Sequence, residues 1–394
     1  MSVTVTEKVG WGSRLGGSIK GMLAGVILFA AGFPVLFSNE GNAVKTAKAL
    51  DEGEGACVAL ESNAAVDPEM EGRLVHLTGK ADTPDVLADD VFGVSARAIR
   101  LRRKVEMYQW IEHSETKEKK NLGGSVTRTT TYTYSTDWSD ELISSRDFKE
   151  AGHDNPASFE FPEAEQYAQT VTFGAFRLNE KQVKRIGAAR AYAFPAGFTS
   201  RVDRVQLSGT TLYVPNAETR LNPLNTRKVA AQPRIGDMRV TFEIVYPHDI
   251  SIVAKQRGDS FVAYTAKTKK KVDLLADGEQ DMEEMFADAR SNNATWTWLI
   301  RLAGFFLMFF GLSMVFKPLS VFADVLPILG DIVSVGTGLV AFVLALVCAL
   351  LTIAVAWLFF RPVLGCILLL AAGGLVYWLV RRRRAVGGVS RTDA

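Results

Sequence analysis

Cysteine, histidine and net charge are all scarce in this chain. Three cysteines stand among 394 residues, and only Cys57 falls outside the long apolar runs that hold Cys348 and Cys366. A disulfide framework inside the polar region is therefore excluded, and that region must be held by an ordinary core. The four histidines, His76, His113, His153 and His248, occur in no HxxxH, HExxH or cysteine-associated spacing, which argues against the usual zinc signatures. The formal net charge is +2, too small to argue for nucleic-acid binding as a bulk property. No repeat of fixed period runs through the chain, and no charge falls in the middle of an apolar run. The second absence disfavours a pump or an ion channel.

What the chain has in abundance is long stretches without charge. A bilayer core takes about 20 apolar residues as helix, and residues 21–37, 296–316, 332–360 and 362–380 each qualify, the second with Arg301 near its start and a charge-free stretch from Leu302 to Phe316. The expected fold class is an integral membrane α-helical protein with four transmembrane helices, carrying a large extracytoplasmic α+β, β-rich domain over 38–295. Residues 317–331, broken by Pro318, Pro327 and Gly330, are too short to cross and read as an interfacial segment on the cytoplasmic side. Lys8, Arg14 and Lys20 lie in the N-terminal stretch 1–20, and Arg381 to Arg384 open the basic tail 381–394. Short basic flanks stay in the cytoplasm, so both termini are expected there and the domain in a periplasm or lumen. The host membrane is then a bacterial cytoplasmic membrane, or the endoplasmic reticulum and inner nuclear membrane of a eukaryote. A cleaved signal peptide is disfavoured, because the small pair Ala47 and Ala49 lies well beyond an apolar core that is itself too long.

Ser38 or Asn39 can cap a helix whose Ala43, Val44, Ala47 and Leu50 share a face, and Gly53 and Gly55 stop it. Ser38, Asn39, Glu40 and Gly41 are thus assigned to the junction between anchor and domain. Strand patterns follow at RLVHLTG, at Val105, Met107, Gln109 and Ile111, and at TRTTTYTYST, which reads as a long hairpin with the preceding strand across a charged loop, 114–125. Further strand-like runs are YAQTVTFGAF, RVQLSGTTLYV, MRVTFEIVY, ISIVAK and SFVAYTA, with a helix at NEKQVKRIGAAR. An amphipathic helix with Met282, Met285, Phe286 and Ala289 on one face leads into Trp296 and Trp298. Met285, Phe286, Trp296 and Trp298 are the residues expected at the membrane interface. Gly17, Gly21 and Gly25, at intervals of four, form a small-residue stripe for helix packing.

Several stretches in order resemble one family: SNEGNAVKTA, EGRLVHLTG, LRRKVEMYQW, AKQRGD, RSNNATWTWLIRLAGFFLMFFGL and WLFFRPV. Together they resemble the LUMA family, four-pass transmembrane proteins of the endoplasmic reticulum and inner nuclear membrane with bacterial relatives. The resemblance implies the four-pass topology, a large domain between the first two spans, and homo-oligomerisation. In animals it further implies nuclear-envelope partners and a role in membrane organisation. It supplies no catalytic residues.

His153, beside Asp154 and near Asp137 and Asp140, is the best acid/base candidate, and a loop histidine before Asn155-Pro156 explains it more simply. The acidic run Asp273 to Glu284 lacks the ligand order of a calcium loop and suits a helix N-terminus. Arg257-Gly258-Asp259 reads as a hairpin turn, and Lys267 to Lys271 as a basic loop. No catalytic residue, metal or cofactor is therefore expected. The leading reading is a non-enzymatic, homo-oligomeric membrane scaffold whose partners are itself, lipids and other membrane proteins, with no nucleic acid. The rival readings are a lipid-binding or transfer module and a membrane-bound hydrolase centred on His153.

Overall fold

In the computed structural model the described residues are 2–217 and 227–363, together with Ile367 and Leu370. They fall into two units. One comprises Met1–Glu7, Leu50–Glu118 and Arg128–Ala289; the other takes Lys8–Ala49, Lys119–Thr127 and the residues from Arg290 onward.

The first unit is β-rich. Its main strands, of which the ends 8–9, 119–120 and 126–127 are counted with the second unit, are β1 (Ser2–Val9), β2 (Leu74–Asp82), β3 (Arg100–Lys120), β4 (Val126–Ser139), β5 (Thr211–Val214), β6 (Met238–Val245), β7 (His248–Arg257) and β8 (Leu274–Asp277). One sheet runs β1-β4-β3-β6-β5 and ends on Gln206–Ser208; β3 and β6 are antiparallel from Met107 opposite Met238 to Arg100 opposite Val245. A second sheet is centred on β7, antiparallel to β2 on one side and to β8 on the other. The period-two pattern expected along β3 is present, with Leu101, Val105, Met107 and Gln109 buried. It places Val105 and Met107 in a core with Phe92, Leu212, Val240 and Phe242. The second sheet has its own core of Val75, Leu77, Phe173, Phe176, Ile252 and Phe261. Each fully buried aromatic or aliphatic side chain contributes roughly 1.5–3 kcal/mol, so these two clusters hold the unit without any disulfide, as the lone Cys57 requires. A short helix, α2 (Glu180–Val183), is fixed by a reciprocal capping box between Asn179 and Gln182.

Among the described residues there are also three long helices: α1 (Trp11–Ala56), α3 (Met282–Ala323) and α4 (Pro327–Phe360). Each is long and apolar enough to cross a membrane. The expected fourth run, 362–380, lies outside the described residues except Pro362, Val363, Ile367 and Leu370, and the tail 381–394 lies wholly outside them.

Two expectations are corrected. Ser38 and Asn39 do not cap a new helix: α1 passes unbroken through SNEG and stops at Ala56, beside the predicted glycine stop. Nor do residues 317–331 form separate interfacial helices. Pro318 is absorbed within α3, and the chain turns only between Ala323 and Pro327, which opens α4. A proline at the start of a helix forfeits no hydrogen bond, so Pro327 marks the corner that Pro318 fails to make.

Glycines set the packing of α1 on α3, though not the stripe that the sequence suggests. A Cβ on Gly17 would meet nothing within 4 Å, and one on Gly21 only Met314 at 3.8 Å. At Gly25 it would strike the Gly311 carbonyl at 2.6 Å, and at Gly311 the Phe29 nitrogen at 2.5 Å. Gly32 lies equally close against Met308, and Gly304 against Leu36 at 2.5 Å. The contact glycines are thus Gly25 and Gly32 on one helix and Gly304 and Gly311 on the other. Their seven-residue spacing keeps a seam facing its partner, as in left-handed packing. Helix α4 adds small residues, Ala341, Ala345, Ala349 and Ala356, all buried, and Ala345 and Ala349 join Leu36 and Met308 in one cluster.

Candidate functional site

Two polar clusters stand out among the described residues of the helical unit. The first is built on SNEG. Glu40 is fully buried, and Arg301 donates to both of its oxygens, Nε at 2.6 Å and a terminal nitrogen at 2.8 Å. Trp357 Nε1 donates to the same carboxylate at 2.8 Å. One side chain of α1 is therefore held by α3 and α4 together. Arg301 also lies over the Trp298 ring at 4.7 Å and faces Trp357 at 5.8 Å. Asn39 donates to the Thr297 carbonyl, Asn293 returns a bond to the Ala43 carbonyl, and a Cβ on Gly41 would enter the Phe360 ring at 2.7 Å. Arg301 stands at a span end, where a long cation can reach outward to water; the structure turns it inward onto Glu40. Ser38 borders an apolar groove of about 510 Å³ with Phe37, Cys348 and Leu351.

The second cluster surrounds Asp324, at the corner after α3. Asp324 is 2% exposed and accepts from Arg14 at 2.5 Å and Lys120 at 2.6 Å. Lys120 also donates to Asp331 at 2.8 Å, and Arg14 donates to the Gly124 carbonyl at 2.5 Å. Burial depresses the Lys120 ammonium, but its hydrogen bonds to Asp324 and Asp331 prevail and hold its pKa above the ordinary lysine value. Lys120 ends β3, where the sequence reads as a charged loop. Alternating charges on both faces of a strand leave no hydrophobic signal. The period-two alternation in HSETKEKK and the facing pair Arg128–Glu118, 2.7 Å apart, are the only trace of the strand there.

Of the residues expected at a membrane interface, Trp296 and Trp298 are exposed, at 65% and 67%. Met285 and Phe286 are not. Both are buried in the β-rich unit, Phe286 against Gly53 and Val272. The face they share is legible in the sequence, and the protein core, not lipid, covers it. At the start of α3, Asp281 accepts from the Glu284 nitrogen at 2.7 Å, an N-cap in the acidic run.

The surroundings of His153, the acid/base candidate, are aromatic. His153 stacks on Tyr134 at 4.0 Å and meets Trp110 edge-on at 4.5 Å, while its Nδ1 lies 3.5 Å from the Glu150 carbonyl. Asp137 caps the Trp138 nitrogen. The nearby Asn155 side chain is bonded to both backbone groups of Trp110 and to the Ile143 carbonyl, so this loop is an aromatic and amide knot. Burial pushes the Cys57 thiol up to about 12, which leaves it protonated and a poor nucleophile at neutral pH. Arg257-Gly258-Asp259 is the expected hairpin turn, with Gly258 at φ +58° and Arg257 paired to Ser260. A cleft of about 410 Å³ in the same unit is lined by Asp154, Asn155, Ser158 and Glu160 beside Met107 and Met238.

The sheet order also bears on sidedness. Residues 1–20 and 38–295 are expected on opposite faces of a bilayer, yet β1 lies beside β4 in one sheet. A backbone ladder needs the paired residues in one compartment, so β1 and the part of β4 beside it share one, whichever face that is.

A family model described as Transmembrane protein 43 matches residues 107–362. Transmembrane protein 43 of Homo sapiens is 33% identical over 395 residues, covering 98% of this chain and 95% of the human protein. The Mus musculus protein is 33% identical over 384 residues, covering 94% and 92% respectively. The Drosophila melanogaster Transmembrane protein 43 homolog is 30% identical over 369 residues, covering 91% and 94%. No solved structure matches.

Proposed function

The chain belongs to the transmembrane protein 43 family, the LUMA family of the sequence resemblance, and from that premise we propose that it is a non-enzymatic, self-associating membrane scaffold. The observation that carries this reading is the Glu40 knot. One carboxylate is tied to α3 and α4 where α1 and α3 leave their apolar runs, and both helices continue without a break, to Ala56 and from Met282. Such a joint stiffens an anchor. The outward face of α4, with Leu339, Val343, Leu350 and Phe359 all exposed, is apolar and suits contact with lipid or with other membrane helices. A scaffold of this kind works through shape and avidity, gathering lipids and other membrane proteins around a repeated domain.

The test is the mass of the full chain reconstituted in nanodiscs, read by mass photometry across a dilution series. Particles of two or more copies that persist on dilution are expected. A strictly monomeric particle would remove the scaffold reading.

A further inference from the structure

We infer that the cleft at the α3–α4 corner is a binding site for the phosphate of an anionic membrane lipid. The cleft has a volume of about 360 Å³ and is bounded by Arg14, Lys120, Lys317 and Asp324 with hydroxyls from Ser313 and Ser334. Its charges do not cancel. Asp324 is taken up by Arg14 and Lys120, and Asp331 by Lys120. Lys317 has no hydrogen-bond or ion-pair partner among the described residues and is exposed. The balance of three cations against two carboxylates leaves one positive charge, and it is the one free to move.

Position decides what anion this charge meets. Lys317 follows directly on the charge-free run Leu302–Phe316, and Asp331 directly precedes the charge-free run 332–360. Both therefore stand where hydrocarbon gives way to headgroups, the depth at which a lysine reaches a lipid phosphate. Around the cleft the side chains are apolar and uncovered: Leu319, Phe322, Val325, Leu326 and Ile328 are each 46–77% exposed. A soluble phosphate compound has no use for that rim, whereas the acyl chains of a lipid cover it. The ammonium of Lys317 and the two serine hydroxyls supply donors for phosphate oxygens.

The experiment uses the full chain purified in mild detergent, with retained lipid counted by native mass spectrometry after incubation in mixed phosphatidylcholine and phosphatidic acid micelles. The wild-type protein is expected to retain phosphatidic acid in preference to phosphatidylcholine. Lys317→Ala is expected to lower that retention about tenfold, and Lys317→Arg to restore it. Because Lys317 is exposed and unpaired among the described residues, neither variant should alter the thermal unfolding midpoint. A parallel arm titrates glycerol 1-phosphate. Displacement of the lipid by this soluble phosphate at equal concentration would assign the site to free phosphate and overturn the inference. Equal phosphatidic acid retention by the wild type and Lys317→Ala would overturn it as well.

Discussion

Glu40 has no water to fall back on. It is fully buried, its two oxygens are occupied by Arg301 and Trp357, and the Arg301 side chain is itself only 14% exposed. Burying such a pair costs much of what the attraction returns, so its presence argues for geometry more than for stability. Removing one partner is a different matter. Glu40→Ala leaves a guanidinium in a site with ring faces but no counter-ion, and the expected loss is about 3–5 kcal/mol. Glu40→Gln keeps an acceptor for Trp357 without the charge and should fall between the two. Thermal unfolding in detergent, followed by intrinsic tryptophan fluorescence, reads all three proteins. A shift for Glu40→Ala no larger than that of an exposed substitution such as Ser2→Ala would mean that the knot holds nothing. None of this was legible from the sequence. Glu40 and Arg301 stand 261 positions apart, and an acidic residue just past an apolar run ordinarily signals exit into water.

At the scale of the element, periodicity was a better guide to type than to surroundings. The strands of the β-rich unit were legible because one face of each is apolar, as Val105 and Met107 on β3 and Ile250 and Ile252 on β7 illustrate. The far half of β3 was not, since it is polar on both faces. The Met285–Phe286 stripe was visible in the sequence and its cover was not: apolar residues at helical spacing mark a face that must be covered, and either lipid or protein can cover it. Helix packing shows the same limit. A four-residue glycine repeat at Gly17, Gly21 and Gly25 is the familiar pattern, but of the three only Gly25 lies tight against α3. The structure predicts a sharp contrast within one helix. Gly25→Val, with a backbone carbonyl 2.6 Å from its Cβ position, should force α1 from α3 and cost at least about 1–3 kcal/mol, the usual penalty of overpacking. Gly17→Ala should be neutral or slightly stabilising, because alanine is the better helix former by about 1 kcal/mol. Detergent-solubilised midpoints of the two variants decide it, and equal destabilisation would return the packing seam to the four-residue stripe.

At the scale of the whole molecule, hydropathy located the apolar helices and the polar domain between them, while flanking charge gave no sign of the N-terminal strand. The positive-inside rule weighs Lys8 and Arg14 as free cytoplasmic charges. In the structure Arg14 is spent on Asp324, and the residues before it form β1, the neighbour of β4. A charge neutralised within the protein no longer reports on a membrane potential or a leaflet. The expectation that follows concerns compartments: Val5, 46% exposed on β1, and Leu142, 45% exposed just past β4, are expected to meet the same solvent. Single cysteines at these two positions, in a background with Cys57, Cys348 and Cys366 replaced, can be labelled with a membrane-impermeant maleimide in sealed vesicles of known orientation. Both are expected to react from one face, with or without detergent. If Val5→Cys reacted only after the vesicles were opened while Leu142→Cys reacted before, β1 could not pair with β4 in the membrane. The basic N-terminal stretch would then regain its cytoplasmic assignment.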